Sequence, residues 1–188
     1  MKQEFYEAIT NNPIIAAVKE EEGLEKCLRL PDICVVFVLY GEVSTINKIV
    51  DKIKKAGKQA VVHLDLVAGL SGKAEAVDFI SEYTNADGVI STRIEQIRRA
   101  KELGLSTIYR IFLIDSKVLD KLNNRSVEAA DIIEVLPGLM PKMIKKLSKE
   151  LQMPIIAGGL ISDKEDVMAA LKAGAIAISA TNELVWKM

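Results

Sequence analysis

The single histidine of the chain, His63, stands two positions before Asp65, and this pair is the first candidate for chemistry. The apolar residues before it predict a strand, in which side chains two positions apart project to the same side. An imidazole and a carboxylate would then meet at a strand end, as a general base and its orienter, as metal ligands, as partners of ligand hydroxyls, or as a pair without chemistry. With one histidine and no ligand-spaced acidic cluster, no metal and no other cofactor is predicted.

Two further charged residues interrupt apolar strand patterns. Arg110 lies within the run Ser106–Phe112, and Glu134 lies between Ile133 and Val135. A buried charge is costly unless it is paired, so Arg110 either pairs with Glu134 or Asp65 or binds an anion through its planar guanidinium. Internal pairing is slightly favoured, and an Arg110–Glu134 pair would satisfy both residues.

Small residues follow the last two predicted strands. Gly158 and Gly159 come after one, and Ser179 and Thr181 come at the end of the other. Side-chain-poor loops let backbone amides approach an anion closely, and a helix with a Ser162 or Asp163 cap follows the glycines. A phosphate site is predicted here. Two further candidates, Lys19 and Gly138, lie just after predicted strands. Lys19 either binds the phosphate or is simply the first solvated residue after its strand.

These residues belong to a regular alternation of strand and helix patterns. Such alternation requires crossover connections and therefore a parallel sheet. No GxGxxG turn is present, which favours a closed barrel over a dinucleotide-binding open sheet. The eight predicted strands are Ile14–Val18, Val35–Leu39, Ala60–Leu64, Gly88–Ser91, Ser106–Phe112, Ile132–Val135, Ile155–Ala157 and Ile176–Ser179.

The length of the chain shapes this prediction. Its 188 residues give about 23 per unit, whereas barrels of eight strands typically have about 250 residues. We therefore expect an α/β fold, a small (βα)8 TIM-type barrel with some shortened or missing helices, in a single domain spanning residues 1–188. The stretch Asp115–Ala130 and the tail after Thr181 carry the weakest patterns, and the first ten residues are expected to form a helix that covers the barrel bottom.

Composition excludes several classes of protein. The 25 basic and 26 acidic side chains give a net charge of −1, so no global field recruits nucleic acid or anionic membrane. Two cysteines without CxxC spacing, no secretory signal and no apolar run of about 18 residues favour a cytoplasmic protein with no membrane partner. The lysines of Met140–Leu151 most simply form a solvated helix face and alternatively contact RNA phosphates.

Several segments resemble the glycerol uptake operon antiterminator regulatory proteins, from about Asn12 to Trp186. The most distinctive are the segment around His63 and the string from Glu134 to Lys142, which contains Gly138. Two positions depart from the family pattern: Lys19 stands where an arginine is common, and Ala180-Thr181 precede Asn182 where a glycine is expected. The other matching segments are Asn12–Val18, Asp87–Arg93 and Pro154–Ile161.

The resemblance implies a small βα barrel that senses glycerol 3-phosphate as an effector and lets transcription pass a terminator in a leader mRNA. The expected partners are glycerol 3-phosphate, leader mRNA contacted directly or indirectly, and, as an open alternative, a second copy of the chain in a homo-oligomer. No catalytic residue is assigned. The alternative is an enzyme acting on a phosphorylated glycerol or triose derivative, such as a phosphodiesterase or a prenyl-glycerophosphate synthase-like barrel.

Overall fold

A computed structural model describes residues 2–115, 118, 122 and 125–188. Eight parallel strands form a closed barrel in which each strand pairs with the next and the eighth pairs with the first. The strands are β1 (Ile14–Val18), β2 (Val35–Val38), β3 (Gln59–His63), β4 (Gly88–Ser91), β5 (Ser106–Phe112), β6 (Ile132–Leu136), β7 (Ile155–Gly158) and β8 (Ala177–Ala180).

Seven α-helices surround or cap this barrel in the described part of the chain, and each has only eight to ten residues. They are α1 (Gln3–Asn11), α2 (Glu21–Leu28), α3 (Ile46–Lys55), α4 (Glu75–Tyr83), α5 (Ile94–Glu102), α6 (Pro141–Glu150) and α7 (Lys164–Lys172). After β8, the described chain continues into a short 3₁₀ turn, Val185–Lys187, rather than an α-helix.

The period of two along each strand divides the core into two layers. Alternate residues of the strands, such as Val61, Ile108 and Ile156, fill the barrel interior together with Phe5 and Ile9 of α1. Because α1 leads directly into the amino end of β1, it closes the bottom of the barrel. The other strand residues pack outward against the apolar faces of the helices.

The predicted small barrel is confirmed, and six of the eight predicted strands begin or end at the observed residue. The predicted helix over the first ten residues is present and reaches Asn11. The weak stretch Asp115–Ala130 falls partly outside the described residues. Within the described ranges, no helix combines the length and the apolar character needed to cross a membrane.

Candidate functional site

A cavity of about 310 Å³ opens at the carboxyl ends of the strands, lined mostly by residues on or after β5–β8 and also by Ala17 on β1 and Leu39 just after β2. This volume lies within the range of small-molecule sites, and the carboxyl end is where barrels of this type carry their sites. The lining residues are Ala17, Leu39, Arg110, Glu134, Leu136, Gly159, Leu160, Ile161, Ser162, Ser179, Ala180, Thr181 and Asn182.

An ion pair between Arg110 and Glu134 forms one wall of the cavity. The two residues face each other in register on β5 and β6, and they point inward because they share the parity of Ile108 and Ile132. Nε of Arg110 donates to Oε2 of Glu134 at 2.6 Å, and the side chains are 8% and 0% exposed. The predicted internal pair is therefore present.

The same guanidinium also keeps donors for a ligand. Among the described residues, Nη1 and Nη2 of Arg110 have no hydrogen-bond partner, while the residue lines the cavity. A planar guanidinium whose Nε is held by a carboxylate presents its remaining donors in a fixed orientation. Arg110 can therefore pair internally through Nε and still bind an anion through Nη1 and Nη2.

Ser179 completes this polar group. Its hydroxyl donates a short hydrogen bond to Oε1 of Glu134, which thereby accepts bonds from both β5 and β8. Gly158 lies between the two on β7, and a Cβ there would stand 2.5 Å from Oγ of Ser179 and 2.6 Å from Oε1 of Glu134. Gly158 therefore leaves space for the Glu134–Ser179 contact and does not itself line the cavity.

The loop after β7 has an unusual backbone. Gly159 and Leu160 adopt positive φ angles of 75° and 63°, and the Leu160 side chain is 73% exposed. A leucine in this region is strained, and such strain concentrates at functional sites. Gly138 supports the loop because its amide donates to the Gly159 carbonyl at 3.1 Å, and a Cβ on Gly138 would stand 2.7 Å from Ile161.

The amino terminus of α7 already binds acidic side chains of the chain itself. Asp163 caps the helix by accepting from the amide of Asp166 at 2.9 Å. The carboxylate of Asp166 accepts from both the amide and the hydroxyl of Ser162, and these hydrogen bonds lower the pKa of Asp166. Two of the amides predicted to favour a ligand anion thus have acceptors, and any phosphate is expected nearer to Arg110 and the Gly159 loop.

His63 and Asp65 lie close together beside this cavity but do not line it. They were predicted to lie on the same side of one strand, but β3 ends at His63 and residues Leu64–Leu66 form a 3₁₀ turn, so the turn brings Asp65 next to His63. Nδ1 of His63 is 3.6 Å from Oδ2 of Asp65, and this buried nitrogen has no hydrogen-bond partner in the described structure. The pair is thus adjacent without a hydrogen bond.

The charges of the two residues follow from their surroundings. Burial, with the positive charge of Arg110, lowers the pKa of His63 to about 4, so the imidazole is neutral at pH 7. Burial acts to raise the pKa of Asp65, but hydrogen bonds from Thr92, Arg93 and Ser91 outweigh it and hold that pKa below its usual value. Asp65 therefore orders the start of the β4–α5 connection.

The structure sorts the other predicted candidates by position. Thr181 lines the cavity, whereas Lys19 is exposed at the end of β1 and does not. Asn182, which follows the predicted small residues Ser179 and Thr181, also lines the cavity, as does Ser162, which the sequence suggested only as a helix cap. No group of three or more histidine, cysteine or acidic side chains with metal-binding geometry occurs among the described residues.

A second, larger cavity of about 690 Å³ lies outside the barrel mouth, between α2 and α3. Two of its charged lining residues pair with each other, because Lys52 contacts Glu21. Glu21 also accepts from Tyr40 at 2.9 Å, and Lys52 also contacts Glu25. The hydrogen bond from Lys52 lowers the pKa of Glu21. Since Lys52 and Glu21 are already paired with each other, the cavity at the carboxyl ends of the strands is the stronger candidate site.

Comparison with known families agrees with this geometry. Residues 14–186 match the model of the glycerol-3-phosphate responsive antiterminators. The chain belongs to this family. The match covers more than nine-tenths of the sequence and includes every strand of the barrel and each lining residue of the cavity. The resemblance noted from the sequence is thereby confirmed.

Individual relatives support the same assignment. The chain is 40% identical to the protein YgcP of Escherichia coli K12 over 182 residues, covering 96% of this chain and 94% of that one. The glycerol uptake operon antiterminator regulatory protein of Listeria monocytogenes is 35% identical, with a TM-score of 0.88 and coverage of 94% and 96%. An antiterminator-related protein of Thermotoga maritima is 30% identical, with a TM-score of 0.81 and coverage of 94% and 99%.

Proposed function

We propose that this antiterminator-family protein binds glycerol 3-phosphate in the cavity at the barrel mouth and, in response, acts on leader mRNA in the cytoplasm to let transcription pass a terminator. Glycerol 3-phosphate is the effector, and no cofactor is required. The observation that carries the ligand proposal is that two Arg110 nitrogens, without partners in the described part of the chain, face a cavity bounded by the loop at Gly159. The name of the matching family supports the effector and the regulatory role.

The charges at the cavity suit a small phosphate ester. Glu134 neutralises Arg110 through Nε, yet Nη1 and Nη2 remain as charge-assisted donors. Thr181 and the loop after Gly159 lie on the same cavity and would add a hydroxyl and backbone amides. The glycerol moiety would then face the inner residues of β6 and β8.

Isothermal titration calorimetry tests the ligand with sn-glycerol 3-phosphate, glycerol and inorganic phosphate. We expect binding of the phosphate ester and at least about a tenfold loss in Arg110→Lys, which keeps the charge but lacks the bidentate fork. The control is Arg98→Lys, since Arg98 is exposed on α5. Absence of binding at millimolar ligand, or unchanged affinity in Arg110→Lys, would overturn the proposed site.

A basic surface suited to RNA lies on α6. This helix buries Ile144 and Leu147 and exposes four lysines, of which Lys146 has Glu150 at 4.0 Å. The lysines are Lys142, Lys145, Lys146 and Lys149. Some basic side chains on other helices are held closely by acidic ones, as Lys54 on α3 is held by Asp87 at 2.6 Å.

We infer that this lysine face contacts RNA phosphates, because weakly paired lysines release counterions when they bind a polyanion. The ligand cavity and α6 are adjacent, since Leu136 lines the cavity and α6 begins at Pro141. A ligand that orders the β6–α6 connection would therefore alter the position of the lysine face. A partial ordering effect of this kind shifts a population of states rather than creating a new fold.

Electrophoretic mobility shifts with the leader RNA, with and without glycerol 3-phosphate, test this part. We expect a salt-sensitive, ligand-dependent shift that Lys145→Glu/Lys149→Glu abolishes. The matched control, Lys48→Glu/Lys55→Glu on α3, should retain the shift. A shift that requires an added protein would assign an indirect role, and an equal loss in both double variants would argue against the α6 face. The homo-oligomer stays a prediction that light scattering tests.

One observation favours a second candidate, an enzyme that acts on a phosphorylated glycerol or triose derivative. His63 is neutral at pH 7 and lies 3.6 Å from Asp65, beside the proposed phosphate site. A neutral imidazole is able to accept a proton from a substrate hydroxyl or water. Turnover of a glycerol phosphodiester that is lost in His63→Ala would support the enzyme, whereas ligand binding without turnover would support the regulator.

A further inference from the structure

The hydroxyl of Ser179 donates its hydrogen to Glu134 and is therefore not a donor for a ligand. It lines the cavity and is 3% exposed, and its hydrogen bond to Glu134 has only one physically consistent assignment. The Glu134 carboxylate, paired with Arg110, carries no hydrogen and only accepts. Ser179 must therefore donate its single hydrogen to Glu134, which leaves only oxygen lone pairs for a ligand.

Surrounding contacts hold this arrangement in place. Arg110 fixes the other oxygen of Glu134 at 2.6 Å, and Glu134 is fully buried, so its carboxylate cannot turn away without leaving a guanidinium unpaired. Gly158 provides the space in which Oε1 meets the serine. The hydroxyl is consequently unable to rotate and offer its hydrogen to the cavity without breaking a charge-assisted bond.

The other two hydroxyls at the cavity, those of Ser162 and Thr181, differ in their hydrogen bonding. Ser162 also donates to a carboxylate, that of Asp166 at 3.0 Å, whereas Thr181 makes no side-chain hydrogen bond to the described residues. Thr181 thus remains available to donate to a phosphate. The cavity consequently offers donors at Arg110 and Thr181 and a buried acceptor at Ser179.

From this polarity we infer that Ser179 is a specificity-determining residue that accepts a hydrogen bond from a ligand hydroxyl, so that the site selects a polyol phosphate over the corresponding keto phosphate. Glu134 acts through Ser179 as a positioning residue. A ketone oxygen facing Ser179 would place two acceptors together with no hydrogen between them, and buried polar groups left unpaired in this way discriminate strongly. This inference rests on the proposed binding of glycerol 3-phosphate.

Calorimetry with three probes tests it: sn-glycerol 3-phosphate, dihydroxyacetone phosphate, and 3-hydroxypropyl phosphate, which lacks the central hydroxyl. We expect the wild type to prefer glycerol 3-phosphate over the other two by about tenfold or more. Ser179→Ala should lose this preference because its affinity for glycerol 3-phosphate falls while its affinity for the other two ligands stays the same. Thr181→Val, the control, should weaken all three ligands to a similar degree.

Glu134→Gln provides a test that a merely structural role would not pass. The glutamine oxygen is able to accept from Arg110 while its amide donates to Ser179, which would free the serine hydrogen for the ligand. The preference should then shift towards dihydroxyacetone phosphate. Equal wild-type affinity for the two C3 phosphates, or equal weakening of both in Ser179→Ala, would overturn this inference and leave the proposed function standing. If the wild type binds none of the probes, both fail.

Discussion

The position that a Cβ on Gly158 would occupy lies 2.6 Å from Oε1 of Glu134, so a glycine on β7 makes room for a carboxylate on β6. The same position lies 2.5 Å from Oγ of Ser179. Glycine is required here by the close approach of side chains, since Gly158 is not among the residues with positive φ. The polar wall of the cavity therefore depends on a residue that does not itself line the cavity.

Gly158→Ala should push the Glu134 carboxylate away from Ser179. Overpacking of this kind typically costs about 1–3 kcal/mol, and we expect affinity for glycerol 3-phosphate to fall as well. Denaturant unfolding and calorimetry measure the two effects. Gly23→Ala is the matched control, because Gly23 lies within α2 and a Cβ there would have only Trp186 nearby, at 3.8 Å. That variant should be neutral or more stable by about 0.5–1 kcal/mol.

The buried ion pair should respond differently to single and double substitution. Arg110→Met leaves Glu134 buried without its partner, and breaking such a pair costs about 3–5 kcal/mol. Arg110→Met/Glu134→Met removes both charges and should recover most of that loss while binding no glycerol 3-phosphate. Urea unfolding and calorimetry on the three proteins check this. A double variant as unstable as the single one would show that the pair itself stabilises the fold.

His63 should make stability depend on pH in a defined window. Its pKa of about 4 in the folded chain lies below the ordinary value of 6.5. Between these values the unfolded state binds the proton and the folded state does not, so stability falls as pH decreases from 6.5 to about 4. The full loss is on the order of 3 kcal/mol.

The chain contains a single histidine, which makes this test clean. We expect the free energy of unfolding of His63→Gln to change much less with pH between pH 6.5 and pH 5, an interval above the ordinary pKa values of carboxyl groups. Guanidinium unfolding at half-unit pH intervals measures the slope. An identical slope in the variant and the wild type would place the titrating group elsewhere.

Asp131 should stabilise the barrel without affecting its mouth. It precedes β6 at the amino-terminal end, accepts from the amide and hydroxyl of Thr107 at 3.0 and 3.1 Å, and contacts Lys101. Asp131→Ala should lower the free energy of unfolding by about 1–3 kcal/mol and leave ligand affinity unchanged. Asp32→Ala, at an exposed position, should change stability by less than about 0.5 kcal/mol. A loss of affinity in Asp131→Ala would contradict this separation of the two ends.

Sequence patterns alone were sufficient to predict the barrel and to place Arg110 and Glu134 within strands. Apolar periodicity is a local property, so the runs around these two residues revealed the strands, but their inward orientation and their register are seen only in the folded barrel. The same local reasoning placed His63 and Asp65 together, but for the wrong reason, because a 3₁₀ turn replaces the strand after His63.

Which of these groups meet, and in which direction their hydrogens point, follows from the closed barrel and not from any single segment. Ser179 reaches Glu134 across β7, a contact between residues 45 positions apart that requires strand closure and the missing side chain of Gly158. Likewise, Asp163 caps α7, as the sequence suggested, but only the folded loop shows that the carboxylate of Asp166 also accepts from the amide of Ser162. Such contacts depend on distances between separate strands and loops, and no local pattern encodes those distances.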